Sequence, residues 1–354
     1  MAGSAASGAP GLAGIRRVAC LIVVRICLYG AGAIGGYLAV RLAQSGEDVS
    51  IIARGPHLRA IREGGLTLKT AAEQCVVGVR ASAQPDELGP QDCIIVTLKA
   101  NALTDLPHAL TPLLHEETTV VFAQNGIPWW YALGLPATAL RPPDLTWLDP
   151  AGSLRTLRPR TIGAVVFTAS EVIAPGVVQH NSPTAGRVVI GEIDDRESQR
   201  LISLRTVLTR AGILSPVPPS IRQAMWTKLM NNMTGSVVSA LLGEPTRRLR
   251  KQAHFTALLE RSRAEAVSIA EAHGYAIASA TPRTVPAIEH TSSILQDYQR
   301  RRPMEIDALV VAPLAFARAA GLKTPTLDLT GALVAHKAAC AGLYTPTRPF
   351  PIAV

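Results

Sequence analysis

Apolar and polar residues follow two different patterns along this chain, and the first pattern occupies its N-terminal half. There, short continuous apolar runs alternate with segments of helical spacing, as in a parallel sheet that is covered on both faces. This order of strands and helices predicts a doubly wound α/β sheet. The predicted strands span 26–29, 48–53, 66–69, 75–79, 92–98 and 118–123, the helices between them 37–43, 56–62 and 102–114, and further extended segments 162–173, 176–180 and 187–190.

The second pattern begins near residue 196, where long stretches have helical periodicity and few strand signals. It predicts an all-helical second half. The predicted helices span 196–211, 219–242, 255–274, 284–300, 303–320 and 326–341.

A glycine-rich turn follows the first predicted strand and leads into the first predicted helix. Gly30, Gly32 and Gly35 occupy the three glycine positions of a G-x-G-x-x-G motif. In a dinucleotide site these glycines permit the tight turn, the approach of a pyrophosphate and the close packing of helix on strand. Because the motif lies between a strand and a helix, we interpret it as a cofactor site rather than a plain turn. The cofactor-binding residues predicted here are Gly30, Ala31, Gly32, Ala33, Ile34 and Gly35.

The residues after the second strand predict which dinucleotide is bound. A site for NAD(H) usually has Asp or Glu there, to bind the ribose 2′-hydroxyl. This chain has Ala53 followed by Arg54, and an arginine suits a 2′-phosphate because its guanidinium offers fixed, forked donors. We therefore expect NADP(H), the alternative being that Arg54 is only a solvated loop charge.

Together these patterns predict a two-domain α/β protein. We expect a flexible N-terminal extension over 1–24, a Rossmann-type NADP-binding domain over 25–194 with an irregular insertion at 134–160, an all-helical substrate and catalytic domain over 195–345, and a tail over 346–354. The extension has a short apolar run, but Arg25 interrupts it and no small-residue cleavage site follows, so we do not interpret it as a secretory signal.

Composition narrows the possible partners. The formal net charge of +9 favours anionic small molecules. The one basic run, at 246–251, has neither further basic runs nor stacking aromatics near it, so we expect no nucleic-acid partner.

No segment approaches the roughly 20 apolar residues of a membrane span. The five cysteines are scattered and show no metal-ligand spacing, which predicts reduced thiols, no metal and a cytoplasmic location.

Two clusters in the helical half could carry chemistry. Lys228 and Asn232 are four residues apart and share one face of a predicted helix that is otherwise apolar. A buried lysine is costly unless it is paired or functional, and burial would lower its pKa toward a value useful for general acid catalysis; the alternative is a lysine that reaches solvent. Glu305 lies near the start of a helix that we expect to begin at Pro303. It either complements the helix dipole or orients Lys228.

The motifs, taken in order, resemble the ketopantoate reductase (2-dehydropantoate 2-reductase) family from about residue 25 to residue 342. The segments that carry the resemblance are Gly30–Gly35, Val96–Ala100, Gln124–Gly126, Trp226–Leu229 with Asn232, Ser292–Asp297 and Glu305–Asp307.

The resemblance implies a function and a role for each site residue. The activity would be the NADPH-dependent reduction of a 2-keto acid. The substrate that the resemblance favours is ketopantoate, which would be reduced to pantoate in pantothenate and coenzyme A biosynthesis. Lys228 would be the general acid and Glu305 would assist it. Asn125 would lie between cofactor and substrate, Asn232 and Ser293 would hold the substrate, and Arg54 and Lys99 would face the adenosine phosphate of NADPH.

Two departures from the family pattern leave alternatives open. Ser236 stands where many members have a second asparagine in the substrate pocket. The insertion at 134–160 follows the aromatic run Trp129–Tyr131. These aromatic residues either line a pocket or pack the insertion onto the sheet. One alternative is an NADP-dependent dehydrogenase of another 2- or 3-hydroxy acid. The other is a non-catalytic NADPH-sensing or scaffold protein. A homodimer is a further expectation.

Overall fold

A computed structural model describes residues 24–182, 184–277 and 291–352. Its N-terminal half is built on a seven-stranded sheet with the strand order β11-β8-β7-β6-β1-β2-β5. All neighbouring strands of this sheet run parallel except β11, which is antiparallel to β8. Its strands are β1 (Arg25–Tyr29), β2 (Asp48–Ile52), β5 (Arg80–Ser82), β6 (Cys93–Val96), β7 (Thr119–Phe122), β8 (Thr161–Phe167) and β11 (Arg187–Glu192).

Three helices of the described N-terminal half lie between its strands in chain order. They are α1 (Ala33–Gln44), α2 (Gly55–Gly64) and α3 (Leu106–Leu110). The predicted helix 102–114 is broken into α3 and two flanking 3₁₀ turns. Pro107 and Pro112 explain the break, because proline has no N–H for a continuous helical ladder. The predicted insertion is irregular but contains 3₁₀ segments at Thr146–Leu148 and Ser153–Arg160.

A second, four-stranded sheet was not predicted from the sequence. Its order is β4-β3-β10-β9, with β3 (Leu66–Lys69), β4 (Gln74–Val77), β9 (Ser170–Ala174) and β10 (Val177–His180). The strand β3 pairs in parallel with β10, which lies more than a hundred residues further along the chain. Local periodicity cannot indicate such a pairing, although it did indicate most of the individual strands.

The second half is helical, as predicted. Its helices are α4 (Gln199–Arg210), α5 (Ile221–Asn231), α6 (Val237–Leu242), α7 (Thr246–Leu249), α8 (Ala253–Ala272), α9 (Ser293–Gln299), α10 (Ala312–Ala319) and α11 (Pro325–Cys340). A π-helical turn at Asn232–Ser236 joins α5 to α6, and another at Asp307–Val311 leads into α10. Of the predicted helix 284–300, the part over 284–290 lies outside the described residues, as do residues 1–23.

The two halves share one hydrophobic core. The cluster on one face of the large sheet joins sheet residues such as Val96 and Phe122 to helical residues such as Leu229 and Phe316. A separate cluster fills the other face, where α1 and α4 pack. The fold class, a Rossmann-like parallel sheet followed by a helical domain, is therefore confirmed, and the shared core fixes α5 against the sheet.

Candidate active site

The candidate site lies at the carboxyl edge of the large sheet, where the loop after β7 meets the helical half. This loop contains Asn125 and Gly126. Gly126 has φ +81°, and a Cβ there would lie 2.3 Å from the carbonyl oxygen of Ala308. The N–H of Ile127 donates to that same carbonyl at 2.9 Å. The glycine therefore allows the loop to dock directly on the π-helical turn at Asp307–Val311.

Lys228, on α5 of the helical half, also contacts this loop. It lies near the end of α5, is half-buried, and its Nζ donates to Asn125 Oδ1 at 2.6 Å. The bond joins residues that are 103 positions apart in the chain. Lys228 and Asn125 both line a pocket, which is mostly apolar. Its other lining residues are Phe122, Gln124, Gly126, Pro128, Trp130, Ala164, Val165, Met225, Leu229 and Asn232.

The electrostatic environment makes the Lys228 ammonium a ready proton donor. Desolvation by burial lowers the pKa of Lys228 to about 8, while the nearby charge of Glu305 acts in the opposite direction. Burial also raises the pKa of Glu305, which is 7% exposed, whereas a hydrogen bond from the Ala100 N–H to its Oε1 at 3.0 Å lowers it. An amine whose pKa is lowered to about 8, under the influence of a carboxylate charge, can act as a general acid.

Glu305 differs in its local structure from the expectation. Helical structure begins at Ile306, so Pro303 and Glu305 precede the helix instead of lying in its first turn. The Glu305 carboxylate accepts from a backbone N–H of the other half, at Ala100. This contact joins Glu305 to the sheet half, and the orientation of Lys228 by its carboxylate stays a prediction.

Lys99, in the loop after β6, contacts the helical half. Its Nζ lies 2.6 Å from Asp297 Oδ2 and donates to the carbonyl of Pro303 at 2.7 Å. Arg302 contacts the other oxygen of Asp297 at 3.0 Å. We call Lys99, Asp297 and Arg302 the interdomain ion cluster. Two acceptors from the helical half contact the Lys99 ammonium, and its role toward the cofactor phosphate stays a prediction.

The remaining substrate-binding candidates are only partly brought together. Asn232 begins the π-helical turn after α5 and lines the pocket with Lys228. Ser236, at the end of that turn, is half-buried and does not contribute to the pocket wall. Ser293 is exposed at the start of α9 and also lies off the wall. Their assignment as substrate-binding residues stays a prediction.

The glycine turn has the geometry of a phosphate-binding loop. Gly30 has φ +119°, and a Cβ at Gly35 would lie 1.9 Å from the Gly30 carbonyl oxygen, so both positions require glycine. A Cβ at Gly32 would meet nothing of the described chain within 4 Å. Here α1 begins, with its first N–H groups available to an anion. These residues fit a dinucleotide pyrophosphate, and Arg54 is exposed shortly after the end of β2.

Two side chains of the site were missed or left undecided by the sequence analysis. Trp130, from the aromatic run before the insertion, is buried and lines the pocket, so it both packs and contributes to the wall. Phe167 was not singled out, and its ring centre lies 5.9 Å from Lys228 Nζ. Its position at the carboxyl end of β8 was the available signal, because parallel strands end at the same edge of a sheet.

Two further features of the described residues concern membrane-spanning helices and metal ligands. None of their helices is long and apolar enough to cross a bilayer. No group of three or more His, Cys, Asp or Glu side chains among them could hold a metal ion.

Comparison with known proteins gives a consistent result over nearly the whole chain. Residues 26–195 match the family model described as ketopantoate reductase PanE/ApbA, and residues 220–338 match its C-terminal model. A 2-dehydropantoate 2-reductase of Mesorhizobium japonicum is 40% identical over 91% of this chain and 100% of its own length.

Solved structures agree with this result. One from Ralstonia solanacearum has 34% identity and a TM-score of 0.80, and the match covers 91% of this chain and 100% of that one. A D-mandelate dehydrogenase, solved with NADH and anilino(oxo)acetate, has a TM-score of 0.74 over 90% of this chain and 99% of its own. Its identity is 20%, so this likeness concerns the fold.

Proposed function

Because this chain belongs to the ketopantoate reductase family, we propose that it reduces 2-dehydropantoate (ketopantoate) to pantoate with NADPH, as a step of pantothenate and coenzyme A biosynthesis. The chain is an oxidoreductase that acts on a CH–OH group and binds a nicotinamide dinucleotide. The proposal adds the choice of NADPH, the identity of the keto acid and the roles of the side chains. A cytoplasmic location and a homodimer stay predictions.

One contact carries the proposal: the hydrogen bond from Lys228 Nζ to Asn125 Oδ1 at 2.6 Å. It places an ammonium of the helical half at the carboxyl edge of the sheet, where ligands of doubly wound sheets bind. The contact requires the docking of the loop at Gly126 on the helical half. A carbonyl that enters the cleft beside Asn125 comes within reach of the proton donor.

The chain's own groups divide the work as follows. Lys228 donates a proton to the carbonyl oxygen as negative charge develops there, and Asn125 fixes the direction of the ammonium. The negative charge of Glu305 stabilises the ammonium form of Lys228. Phe122, Trp130 and Met225 supply apolar walls beside Lys228, which keep water away from its ammonium.

Residues 30–35 and Arg54 would hold NADPH. The open space beside Gly32 and the start of α1 receive the pyrophosphate, and the Arg54 guanidinium receives the 2′-phosphate. When bound, NADPH supplies the hydride for the carbonyl carbon. The chain positions its own groups around that carbon through the loop after β7 and the end of α5.

The proposal is tested by replacing Lys228. We expect Lys228→Ala to lower kcat for ketopantoate by about 10²- to 10⁴-fold, since a positioned general acid contributes that much. The affinity for NADPH, measured by the quenching of tryptophan fluorescence, should stay near that of the wild type. Lys323→Ala, at an exposed lysine, is the matched control. Unchanged turnover in Lys228→Ala would remove this lysine from the mechanism.

The same assay separates the two alternatives. A panel of 2-keto acids with NADPH, and of 2- and 3-hydroxy acids with NADP⁺, identifies the substrate by its kcat/KM. If another hydroxy acid exceeds ketopantoate and pantoate, the dehydrogenase alternative is correct. Tight NADPH binding with no turnover across the panel would instead support a non-catalytic protein.

A further inference from the structure

Arg187 is an exposed cation that packs on Phe167, and the proposed mechanism has no use for it. It is the first residue of β11, and its guanidinium carbon lies 4.0 Å from the centre of the Phe167 ring. Among the described residues no carboxylate lies within ion-pair distance of it. An arginine that is held on an aromatic ring and makes no side-chain hydrogen bond to the described residues has donors available for an anion.

The side of the sheet on which Arg187 lies follows from the strand pattern. Along β11, Val189 belongs to the core shared with the helical half, while Val188 and Ile190 belong to the core on the other face. Side chains two residues apart in a strand point to the same face. Arg187 is therefore on the face covered by α5, the helix that carries Lys228.

Phe167 lies near both this arginine and Lys228. In the antiparallel register of β8 and β11, Phe167 is directly opposite Arg187, and Phe167 also packs against the shared core. The centre of its ring lies 5.9 Å from Lys228 Nζ and 4.0 Å from the Arg187 guanidinium carbon. The two cations are thus no farther apart than the sum of these distances, with the Phe167 ring adjacent to both.

The backbone around Arg187 is fixed. The N–H of Gly186 donates to the Tyr37 hydroxyl at 2.9 Å, and the N–H of Val188 donates to the Leu214 carbonyl at 2.8 Å. The N–H of Leu214 donates to the Gly186 carbonyl at 3.1 Å. These bonds on both sides of Arg187 hold its Cα in place, so that little backbone ordering remains to be lost when a ligand binds.

We propose that Arg187 binds the carboxylate of the 2-keto acid and thereby selects acids over neutral ketones. The inference rests on the proposed function and deepens it. In a 2-keto acid the carboxylate is bonded directly to the carbonyl carbon, so a carbonyl at Lys228 places the carboxylate within the span of the two cations. Asn232, on the pocket wall, is then left for the hydroxyl end of the substrate.

The test compares ketopantoate with its neutral lactone, which keeps the ketone but lacks the carboxylate. For Arg187→Met we expect KM for ketopantoate to rise on the order of 10- to 100-fold, because a charge-assisted hydrogen bond is lost. KM for the lactone should change by less than about threefold and kcat should change little. Arg187→Lys should recover part of the loss. Arg196→Met, whose side chain is 86% exposed, controls for the removal of one positive charge.

A binding measurement provides a readout without turnover. Calorimetric titration of pantoate into the NADP⁺ complex should give a Kd raised by a similar factor in Arg187→Met, with the affinity for NADP⁺ unchanged. If KM rises equally for acid and lactone, or for neither, the inference about Arg187 is wrong. If the wild type reduces neither compound nor any acid of the panel, the proposed function itself is wrong. The two failures are therefore distinguishable.

Discussion

The surroundings of Lys228 determine the pH range in which the protein should reduce its substrate. Burial lowers the pKa of Lys228 to about 8, and only the ammonium can donate a proton. We therefore expect kcat/KM for reduction to be constant below about pH 8 and to fall about tenfold per pH unit above it. Steady-state rates at saturating NADPH give this profile. In the oxidative direction the neutral amine is needed, so the rate should rise through the same pH.

The carboxylate of Glu305 offers a check on this assignment. Its charge raises the pKa of Lys228 against the larger effect of burial. Glu305→Gln should therefore move the midpoint of the reductive profile to lower pH. A profile that is level through pH 8 in the wild type, or a midpoint that Glu305→Gln does not move, would contradict the assignment of the titration to Lys228.

The choice of cofactor is also argued at the level of one residue. Arg54 is exposed immediately after β2, where a carboxylate would favour NADH. We expect Arg54→Ala to lower kcat/KM for NADPH at least about tenfold, through loss of a charge-assisted contact with the 2′-phosphate, and to leave kcat/KM for NADH nearly unchanged. Arg59→Ala, at an exposed arginine of α2, is the control. An equal loss with both cofactors would contradict a role in 2′-phosphate binding.

Among the structural elements, those fixed by short-range patterns were the ones that the sequence predicted. The glycine turn at Gly30–Gly35 is such an element, because its steric requirements involve residues five apart. The π-helical turn at Asn232–Ser236 was not predicted, because the segment has ordinary helical spacing and the extra residue per turn becomes visible only in the packed helix. The four-stranded sheet was missed because β3 and β10 are distant in sequence.

The interdomain ion cluster is the element that joins the strand end at β6 to the segment carrying Glu305. Lys99 contacts Asp297 and the Pro303 carbonyl, and the next residue, Ala100, binds the Glu305 carboxylate. We therefore expect Lys99→Met to lower kcat on the order of tenfold by releasing Glu305 from its position. Asp297→Asn should have a similar effect, and the double variant should be little worse than either single one.

Measurement of cofactor affinity distinguishes this role from the one implied by the family resemblance. If Lys99 positions Glu305, both variants should keep the NADPH affinity of the wild type. If Lys99 instead binds a phosphate of the cofactor, Lys99→Met alone should weaken NADPH binding, and Asp297→Asn should not. This second result would overturn the positioning role.

For the whole molecule, the sequence predicted the two halves but not how they meet. The site depends on contacts between distant residues, such as Lys228 with Asn125 and Glu305 with Ala100, which are 103 and 205 positions apart. Each of these side chains could be marked as a candidate from its local pattern or from the family resemblance. Their mutual geometry depends on the docking of two domains, which no local pattern contains. Phe167 and Arg187 were missed for the same reason.

The shared core has a consequence for stability: the two halves should unfold together. Arg222, on α5, lies where the helical half packs against the sheet half, and it is 0% exposed. Its guanidinium donates to the carbonyls of Tyr131, Ile193 and Leu133, which lie between the sheet and the helical half. We expect Arg222→Met to reduce the free energy of unfolding by about 3–5 kcal/mol, because it leaves several buried carbonyls without donors. Arg196→Met, at an exposed site, should change it by less than about 0.5 kcal/mol.

Urea unfolding followed by two probes measures both expectations. Tryptophan fluorescence reports on the shared core, which contains Trp129 and Trp130 of the sheet half and Trp226 of the helical half, and circular dichroism reports on the helices. In the wild type the two curves should coincide, since a domain that separated first would expose the core that it shares with its neighbour. In Arg222→Met both midpoints should move together to lower urea concentration. Two separate transitions in the wild type would mean that the halves are energetically independent, and the cleft that holds Lys228 would then not be maintained by the common core.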